Sequence, residues 1–287
     1  MILVTGASGN VGREVLKQLA QTGAKVRAAF QSSSKQATPA GVETAIVDYN
    51  QPGTLRTALE GAERVFLVGP PTSQLPALER QAVEVMAESG VRHVVKLSAM
   101  GGRQSTFTRQ HAESEDYIVS TGIPYTFLRP NGFMQNIINY NGSTINTQNA
   151  FYGTEGDGQV SQIDVRDVAA VAAKTLTEDG HVRKVYTLTG PEPLTNAQVA
   201  QILSRVLGRE VRYINLTPEQ LKPALLSAGV PEWSADALLD LQRHYREGKA
   251  SEVTEDVEKI LGRKPTSFAQ FLADHRSALE AREKLAS

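Results

Sequence analysis

The amino-acid sequence predicts an α/β fold, in which helices cover both faces of a parallel β-sheet. Short apolar, β-branched runs alternate with helical stretches through residues 1–190, a glycine-rich turn follows the first run, and Gly or Pro closes several segments. Because neighbouring parallel strands are joined by right-handed crossovers, this alternation is typical of a doubly wound sheet. We therefore expect a Rossmann-type parallel sheet with a smaller, mostly helical C-terminal substrate domain.

The predicted strands are rich in apolar and β-branched residues. Two of them contain the runs AIV (residues 45–47) and VFLV (residues 65–68), which are apolar enough for burial on both faces of a parallel sheet. The predicted strands are residues 2–5, 25–30, 42–47, 64–68, 94–97, 125–129, 184–189 and 211–216.

Helices are predicted between these strands. Apolar residues recur there at three- and four-residue spacing, as Val15, Leu16 and Leu19 do in the first helix. After Pro130 the chain is rich in Asn, Gly, Ser and Thr, so residues 131–149 are predicted to be a loop with room for one helix. The predicted helices are residues 12–21, 54–60, 75–89, 112–121 and 165–176.

Two domains are expected. Residues 1–190 would bind a dinucleotide, and the mostly helical residues 191–287 would form a smaller substrate-binding domain that closes over the sheet. The loop 131–150 would contribute to the substrate pocket. Some side chains could line this pocket, although residues of these types lie in a core more often than in a pocket. They are Met134, Phe133, Phe151, Tyr152, Leu225 and Trp233.

The composition argues against several functions. The net charge of −1 provides no basic excess for a nucleic-acid partner, and the absence of cysteine removes disulfides and thiolate chemistry. The five histidines are scattered without HxH or HExxH spacing, so we expect no metal site. The start MILVTG lacks a basic stretch, and no apolar run reaches the length of a membrane span. We therefore expect no membrane association and a cytoplasmic location.

A glycine turn, TGASGNVG, lies between the first strand and the first helix. Gly6 permits the tight turn, Gly9 lets a pyrophosphate approach the backbone, and Gly12 allows close packing of helix on strand. The free N–H groups at the helix start and the positive end of the helix then face an anion. The spacing is one residue longer than GxGxxG, but the strand–turn–helix context predicts a dinucleotide site.

The end of the second strand selects between NAD and NADP. An NAD site usually has a carboxylate there, whereas this chain has Gln31 followed by three serines and Lys35. The hydroxyls and Lys35 could hold a 2′-phosphate, or the segment could be a solvated polar loop. We expect NADP(H) to be favoured over NAD(H).

Five motifs together resemble one family over nearly the whole chain. They are TGASGNVG, VDYNQP, VRHVVKLSA, TGIPYTFLRPNGF and IDVRDVA. At this spacing the chain resembles the NmrA-like, atypical short-chain dehydrogenases, and within them the triphenylmethane reductases, type 2 NAD(P)H:quinone oxidoreductases and azoreductases. The resemblance implies the fold and the cofactor class more firmly than the substrate.

The resemblance also implies cofactor-binding positions. Gln31 stands where the family has a 2′-phosphate arginine, which is a departure from the pattern, and Asp48 would lie near the adenine unless it only caps a turn. The remaining expected cofactor residues are Gly6, Ala7, Ser8, Gly9, Asn10, Val11 and Gly12, the loop Gly69, Pro70 and Pro71 beside the riboses, and Asn131, Gly132 and Phe133 beside the nicotinamide. Ordinary turn chemistry would explain the last two groups as well.

The YxxxK pair of typical short-chain dehydrogenases is missing from its expected place after the fifth strand. The one match to that spacing, Tyr245 and Lys249, lies in the helical tail, and we interpret it as an accidental match on a solvated helix face. An alcohol dehydrogenase or a sugar epimerase is therefore not expected.

His111 and Ser98 are the candidate catalytic residues. His111 occupies the position at which the reductase branch of the family has histidine, and Glu115 four residues later would orient its ring and favour its protonated form. Ser98 ends the fifth strand and could donate a hydrogen bond to a substrate oxygen. Equally open are a polar helix-start role for His111 and a satisfied strand-end hydroxyl for Ser98.

These observations predict an NAD(P)H-dependent reductase that passes hydride directly to a conjugated acceptor. A small aromatic or quinone-like substrate, or an azo or triphenylmethane dye, delocalises the incoming charge, so positioning matters more than a strong proton donor. The alternative is a non-enzymatic NmrA-like protein that senses NADP(H) and reports to a protein partner. Turnover distinguishes the two.

Overall fold

The computed structural model describes residues 1–32 and 37–280. Within these residues, seven parallel strands form one sheet in the order β3-β2-β1-β4-β5-β6-β9. The strands are β1 (Ile2–Val4), β2 (Val26–Phe30), β3 (Glu43–Ile46), β4 (Arg64–Leu67), β5 (His93–Leu97), β6 (Tyr125–Pro130), β7 (Ala150–Gly153), β8 (Gln159–Val160), β9 (Lys184–Leu188), β10 (Leu194–Thr195) and β11 (Arg212–Asn215). The parallel, doubly wound sheet predicted from the sequence is confirmed.

Eleven helices accompany the strands in the same described part of the chain. They are α1 (Asn10–Ala20), α2 (Pro52–Ala58), α3 (Leu75–Glu88), α4 (Thr106–Thr121), α5 (Asn136–Gln148), α6 (Val165–Thr177), α7 (Asn196–Leu207), α8 (Pro218–Ser227), α9 (Glu232–Arg246), α10 (Asp256–Leu261) and α11 (Phe268–Asp274).

The strand order reverses at β1. Val4 is in register with Ala28 of β2 on one side and with Phe66 of β4 on the other. In open α/β sheets, ligands bind in the crevice outside the carboxyl ends of the two strands at such a switch point. The turn after β1 and the loop after β4 therefore border the expected ligand crevice.

Two hydrophobic cores cover the two faces of the sheet. Successive residues of a strand point to opposite faces, so Val4 packs under α1, α6 and α10, while Leu3 packs under α2, α3 and α4. In β4, Phe66 lies on the same face as Val4, and Val65 lies on the same face as Leu3. The sheet is therefore a rigid platform buried on both sides.

A third core joins residues on both sides of position 190. Met134 and Phe151 pack there with side chains of α7 and α11, and both are almost completely buried. These two residues are thus core rather than pocket lining, which corrects one expectation. Farther along the chain, Val257 of α10 packs against α6 in the core that contains Val4, which we call the first core. The domain division at residue 190 stays a prediction.

The sequence analysis is wrong about the burial of one edge strand and omits three short strands. The AIV run was predicted to be buried, but β3 is an edge strand and Ile46 is 41% exposed. An edge strand is covered by fewer neighbours, so an apolar run there need not be buried. The sequence interpretation also omitted the short strands β7, β8 and β10, which pair outside the main sheet.

Two helices extend further than the sequence predicts. α4 begins at Thr106 rather than residue 112, because Ser105 and Thr108 form a reciprocal capping box. Most of the predicted loop 131–149 is helix α5, in spite of its Asn and Thr content, because Ile137 and Ile145 pack into the third core. Tertiary burial outweighs weak helix propensity in that segment.

No helix in residues 1–32 and 37–280 combines the length and apolarity that a membrane crossing requires. The same residues contain no group of three or more His, Asp or Glu side chains arranged to hold a metal ion.

The imidazole of His93 at the start of β5 is buried beside Thr126. Its Nε2 lies 2.8 Å from the Thr126 hydroxyl, which itself donates to the carbonyl of His181, so Nε2 carries the proton. Burial, and then the charges of Arg64 and His181, lower the pKa of His93 from 6.5 to about 4. The folded protein therefore holds this ring neutral.

We expect this ring to make the protein acid-sensitive. As the pH falls from about 6.5 to about 4, only the unfolded chain binds the proton, so His93 contributes a loss of about 3 kcal/mol of unfolding free energy. His93→Gln should flatten the pH dependence of stability in this window, measured by urea denaturation. His275→Gln is the control, because His275 is not among the residues that surround His93. Equal slopes in wild type and His93→Gln would contradict the assignment.

Candidate active site

The glycine turn after β1 is built from close backbone approaches. Gly6 has φ +61°, and a Cβ on it would lie 2.9 Å from the Cβ of Val68. A Cβ on Gly12 would lie 2.2 Å from the carbonyl oxygen of Gly6. Both positions therefore require glycine, one for its conformation and one for the packing of α1 on the turn. Gly9 is less constrained, since its Cβ would lie 3.2 Å from the same oxygen.

The first turn of α1 presents backbone N–H groups that have no acceptor. Gly9 is its N-cap without a side-chain cap, and the first turn has no acidic residue. In the described part of the chain, the amides of Ser8, Asn10, Val11 and Gly12 meet no hydrogen-bond acceptor. Unpaired N–H groups at the positive end of a helix form a site for an anion. The glycine turn therefore fits the pyrophosphate of a dinucleotide.

Ala7 lies inside the turn rather than on its surface. It is completely buried in the first core, and its N–H donates to the carbonyl of Ala29 at 3.3 Å. This hydrogen bond attaches the turn to β2, so the exposed amides of the neighbouring residues keep a fixed direction.

The loop Gly69–Pro71 borders the glycine turn across the switch point. Thr5 and Tyr49 both hold its start, because the N–H of Val68 donates to the Thr5 hydroxyl at 2.8 Å and the Tyr49 hydroxyl donates to the carbonyl of Val68 at 2.9 Å. A Cβ on Gly69 would lie 2.8 Å from Cγ of Glu79, and the N–H of Gly69 donates to Glu79 Oε1 at 3.1 Å. This loop is therefore positioned by a buried carboxylate.

Asp48 and Gln31 lie on the other side of the turn. The carboxylate of Asp48 accepts from the N–H of Asn50 and the amide of Gln51, both at 2.9 Å, which lowers its pKa. Asp48 thus stabilises its own turn, and its contact with an adenine stays a prediction. Gln31 is exposed, and Ser33, Ser34 and Lys35 of the predicted 2′-phosphate segment lie outside the described residues.

A buried ion pair lies behind this loop. Lys96 on β5 and Glu79 on α3 are at most 1% exposed, and their charged groups are 2.5 Å apart. The second oxygen of Glu79 accepts from Gly69, and Nζ of Lys96 lies 3.3 Å from Nδ1 of His111 on α4. One charge pair thereby links the predicted ribose loop to the predicted catalytic histidine.

The contact with Lys96 defines the tautomer of His111. An ammonium group has only hydrogens to offer, so Nδ1 is the acceptor and the ring proton is on Nε2. Burial, and then the charge of Lys96, hold the pKa of His111 well below its usual range. Within the described residues Nε2 has no partner, yet it is not among the completely buried unpaired atoms. His111 is therefore a neutral hydrogen-bond donor.

Glu115 does not orient His111, which corrects the sequence-based expectation. Its carboxylate is held by the guanidinium of Arg129, with Nε at 2.9 Å, and by the hydroxyl of Ser98 at 2.5 Å. The i,i+4 spacing puts the two side chains on one helix face, but a charged partner on β6 competes for the carboxylate. The expected protonated form of His111 is therefore wrong as well.

The hydroxyl of Ser98 donates its hydrogen bond to the carboxylate of Glu115. The hydroxyl is buried, and its hydrogen bond to Glu115 leaves an oxygen lone pair, not a proton, for any further contact. In this arrangement Ser98 has no free proton for the predicted hydrogen bond to a substrate.

The segment Asn131–Phe133 follows β6 and is fixed by hydrogen bonds. The buried amide of Asn131 donates to the Ser161 hydroxyl and to the carbonyl of Ala250, both at 2.8 Å, and its oxygen accepts from the N–H of Gly132 at 2.9 Å. Phe133 pairs with Ile163 in an isolated bridge. The N–H of Asn131 also donates to the carbonyl of Leu188 at 2.9 Å. Asn131 thus anchors the loop, and the half-buried ring of Phe133 remains the candidate for a ligand contact.

Tyr245 does not lie on a solvated helix face. Its hydroxyl oxygen is 3.0 Å from the position of a Cβ on Gly132. Lys249, by contrast, lies beyond the end of α9 and pairs with Glu247 at 2.6 Å. The YxxxK match is therefore accidental as a pair, but its tyrosine adjoins the predicted nicotinamide loop.

A cleft of about 180 Å³ lies elsewhere, at the amino ends of β4 and β5. Its lining mixes opposite charges, with Arg64 and Arg92 near Glu63 and Asp179. It is separate from the switch point, so we do not assign the active site to it.

The two residues that sequence reasoning missed are Glu79 and Lys96. A lysine inside the apolar run HVVKL was the available signal, because a charge in a doubly covered strand needs a buried partner. The identity of that partner could not be read from the sequence, since Glu79 is 17 residues away on another element.

The sheet order, the glycine turn and its unpaired amides define a Rossmann-type dinucleotide-binding protein. The chain belongs to the NmrA-like family, whose model it matches over residues 1–272. The family expected from the five motifs is thereby confirmed.

Three known proteins illustrate this membership. The chain is 35% identical over 286 residues to an NAD(P)H azoreductase from Xenophilus azovorans, covering 98% of this chain and 100% of that protein. It is similar to the crystal structure of an Escherichia coli NADPH-dependent quinone oxidoreductase complexed with NADPH, with TM-score 0.88, 29% identity, and coverage of 96% and 100% of the two chains. It is also similar to a Citrobacter sp. triphenylmethane reductase complexed with NADP(H), with TM-score 0.86, 30% identity, and coverage of 96% and 99%.

Gly12→Ala should weaken cofactor binding. The new methyl group would meet the backbone of Gly6 and displace the amides that face the pyrophosphate, so we expect about 10- to 100-fold weaker NADPH binding. Gly53→Ala in α2 has open space and is the matched control. The measurement is titration of NADPH by fluorescence. Unchanged affinity in Gly12→Ala would contradict the phosphate site.

Proposed function

We propose that this chain is an NAD(P)H-dependent reductase that passes hydride directly to a conjugated acceptor such as a quinone, an azo dye or a triphenylmethane dye. The observation that supports this most directly is the glycine turn, whose unpaired amides lie at the switch point beside the Gly69 loop. The names of the similar proteins, an azoreductase, a quinone oxidoreductase and a triphenylmethane reductase, agree with the oxidoreductase class expected from the sequence.

The residues proposed for the cofactor are those of two loops and one strand end. The amides of Ser8, Asn10, Val11 and Gly12 would bind the pyrophosphate. The loop Gly69–Pro71 would flank the riboses, and Asn131–Phe133 would flank the nicotinamide. A preference for NADP over NAD is supported by the neutral Gln31, where an NAD site usually has an acid, and by the NADPH and NADP(H) bound to the two similar structures.

We assign the substrate side to the last third of the chain and the segment after β6. Residues 1–190 would bind the dinucleotide, and residues 191–287 together with the 131–150 segment would bind the acceptor. The third core supports this division, because α5, β7, α7 and α11 pack together beyond the end of the sheet.

His111 is proposed to bind the acceptor as a neutral donor. Its Nε2–H would donate to an oxygen or nitrogen that gains negative charge, and Lys96 behind it keeps the proton on that atom. A bound reduced nicotinamide supplies the hydride. A quinone that takes up this hydride and one proton from solvent becomes a hydroquinone, so the two electrons and two protons balance. The chain therefore needs no YxxxK pair for this reaction.

A turnover assay tests the proposed function. We expect NADPH oxidation, followed by its absorbance, when the protein is mixed with a panel containing a benzoquinone, an azo dye and a cationic triphenylmethane dye. The control is protein carrying Gly12→Ala, which should turn over more slowly at low NADPH. Binding of oxidised and reduced cofactor with different affinity, but no turnover with any acceptor, would instead support the NADP(H) sensor.

His111 variants test the donor role. His111→Ala should lower kcat/KM for a quinone about 100-fold, while His111→Gln, which keeps an N–H, should retain more activity. Because the pKa of His111 lies well below its usual range, the wild-type rate should stay level between about pH 8 and pH 6. A rate that changes near pH 6.5 and loses that change in His111→Gln would show that the ring titrates instead.

A further inference from the structure

We propose that Tyr245, at the carboxyl end of α9, donates a second hydrogen bond to the substrate, to an oxygen or nitrogen of a quinone or azo acceptor. This inference rests on the proposed reductase function. It gives the C-terminal half of the chain a specific polar contact with the acceptor, and it predicts which acceptors use that contact.

The hydroxyl of Tyr245 lies directly beside the loop that follows β6. Its oxygen is 3.0 Å, and its ring carbon Cζ 3.7 Å, from the position that a Cβ would occupy on Gly132. A side chain at residue 132 would therefore fill the space in front of the phenol. Glycine leaves this space open next to the proposed nicotinamide loop.

The phenol has no hydrogen-bond partner of its own. Among residues 1–32 and 37–280, no donor or acceptor contacts its oxygen, and that oxygen is not among the completely buried unpaired atoms. Burial, and then the nearby charge of Glu155, raise the pKa of Tyr245, so the hydroxyl stays protonated. A neutral O–H without a partner among the described residues favours any ligand that supplies an acceptor atom.

The backbone around Tyr245 is held firmly. Gly158 approaches so closely that a Cβ there would lie 2.4 Å from the carbonyl oxygen of Tyr245, and the same oxygen accepts from the N–H of Gly248 at 2.9 Å. One helical turn earlier, Asp240 accepts from the N–H and the hydroxyl of Thr106 at 2.6 Å and 2.9 Å. The phenol is therefore presented by a fixed helix end rather than by a loop.

His244, next to Tyr245, brings the end of α9 to the loop after β5. The ring of His244 is 2% exposed, and its Nε2 lies 3.2 Å from the position of a Cβ on Gly101, in the loop after β5. His244 and Tyr245 thus contact the loops that follow β5 and β6. Both loops lie at the carboxyl edge of the sheet, where α/β proteins bind ligands.

The chemistry of the acceptor determines whether this hydroxyl contributes. Hydride transfer to a quinone or an azo group builds negative charge on oxygen or nitrogen, and a phenol O–H stabilises that charge. A cationic triphenylmethane dye accepts hydride on its central carbon and loses its positive charge, so no new anion forms. Tyr245 should therefore matter for the first two acceptors and not for the third.

Tyr245→Phe tests the inference because it removes only the oxygen. We expect kcat/KM for the quinone to fall about 5- to 20-fold at both pH 6 and pH 9, with the triphenylmethane dye and NADPH affinity changed less than about 2-fold. Since the hydroxyl makes no hydrogen bond to any residue that the structure describes, the melting temperature should be unchanged or slightly raised. Tyr186→Phe, whose hydroxyl instead contacts His181 at 2.8 Å, is the matched control.

Gly132→Ala provides a second measurement. The added methyl group would occupy the space in front of the phenol, so it should raise KM for the quinone while the melting temperature shows whether the loop still folds. Equal losses on quinone and triphenylmethane dye in Tyr245→Phe, or no loss on either, would overturn the inference. If wild type reduces no acceptor, the proposed function itself fails, which the wild-type reactions distinguish.

Discussion

The buried pair of Lys96 and Glu79 is the interaction on which the site depends. Two opposite charges that are almost fully removed from water cannot be separated without leaving one of them unpaired, at a cost of about 3–5 kcal/mol. The pair connects a central strand, a covering helix, the loop at Gly69 and the ring of His111. The pair therefore acts by position, because it holds the proposed cofactor loop and the proposed hydrogen-bond donor, His111, relative to each other.

A second network works in parallel on the next strand. Arg129 and Ser98 both bind the carboxylate of Glu115, so the ends of β5 and β6 and the middle of α4 form one connected unit. The two carboxylates, Glu79 and Glu115, each hold a different set of partners. Burial and the charge of Lys96 keep His111 neutral. The glutamate four residues away on the same helix does not offset them, because Arg129 and Ser98 occupy its carboxylate.

The C-terminal part of the chain completes the edge of the sheet. Ala250 accepts a hydrogen bond from Asn131, and α9 brings His244 and Tyr245 to the loops after β5 and β6. The region beyond residue 190 is thus attached to the nucleotide-binding sheet at the same edge as the proposed site. Tyr245, which the sequence pattern assigned to solvent, comes to lie on the proposed substrate side through this attachment.

The sequence by itself determined the parallel sheet, the glycine turn and the family, because each depends on residues that are neighbours in the chain. Gly6 and Gly12 flank one turn, and the alternation of apolar runs needs no distant partner to be read. Only the tertiary structure decided the partners of Lys96 and Glu115, the position of Tyr245 beside Gly132, and the exposure of β3. Those outcomes depend on which charged and polar groups meet across the sheet, and a pattern along one helix or strand carries no information about competitors on another element.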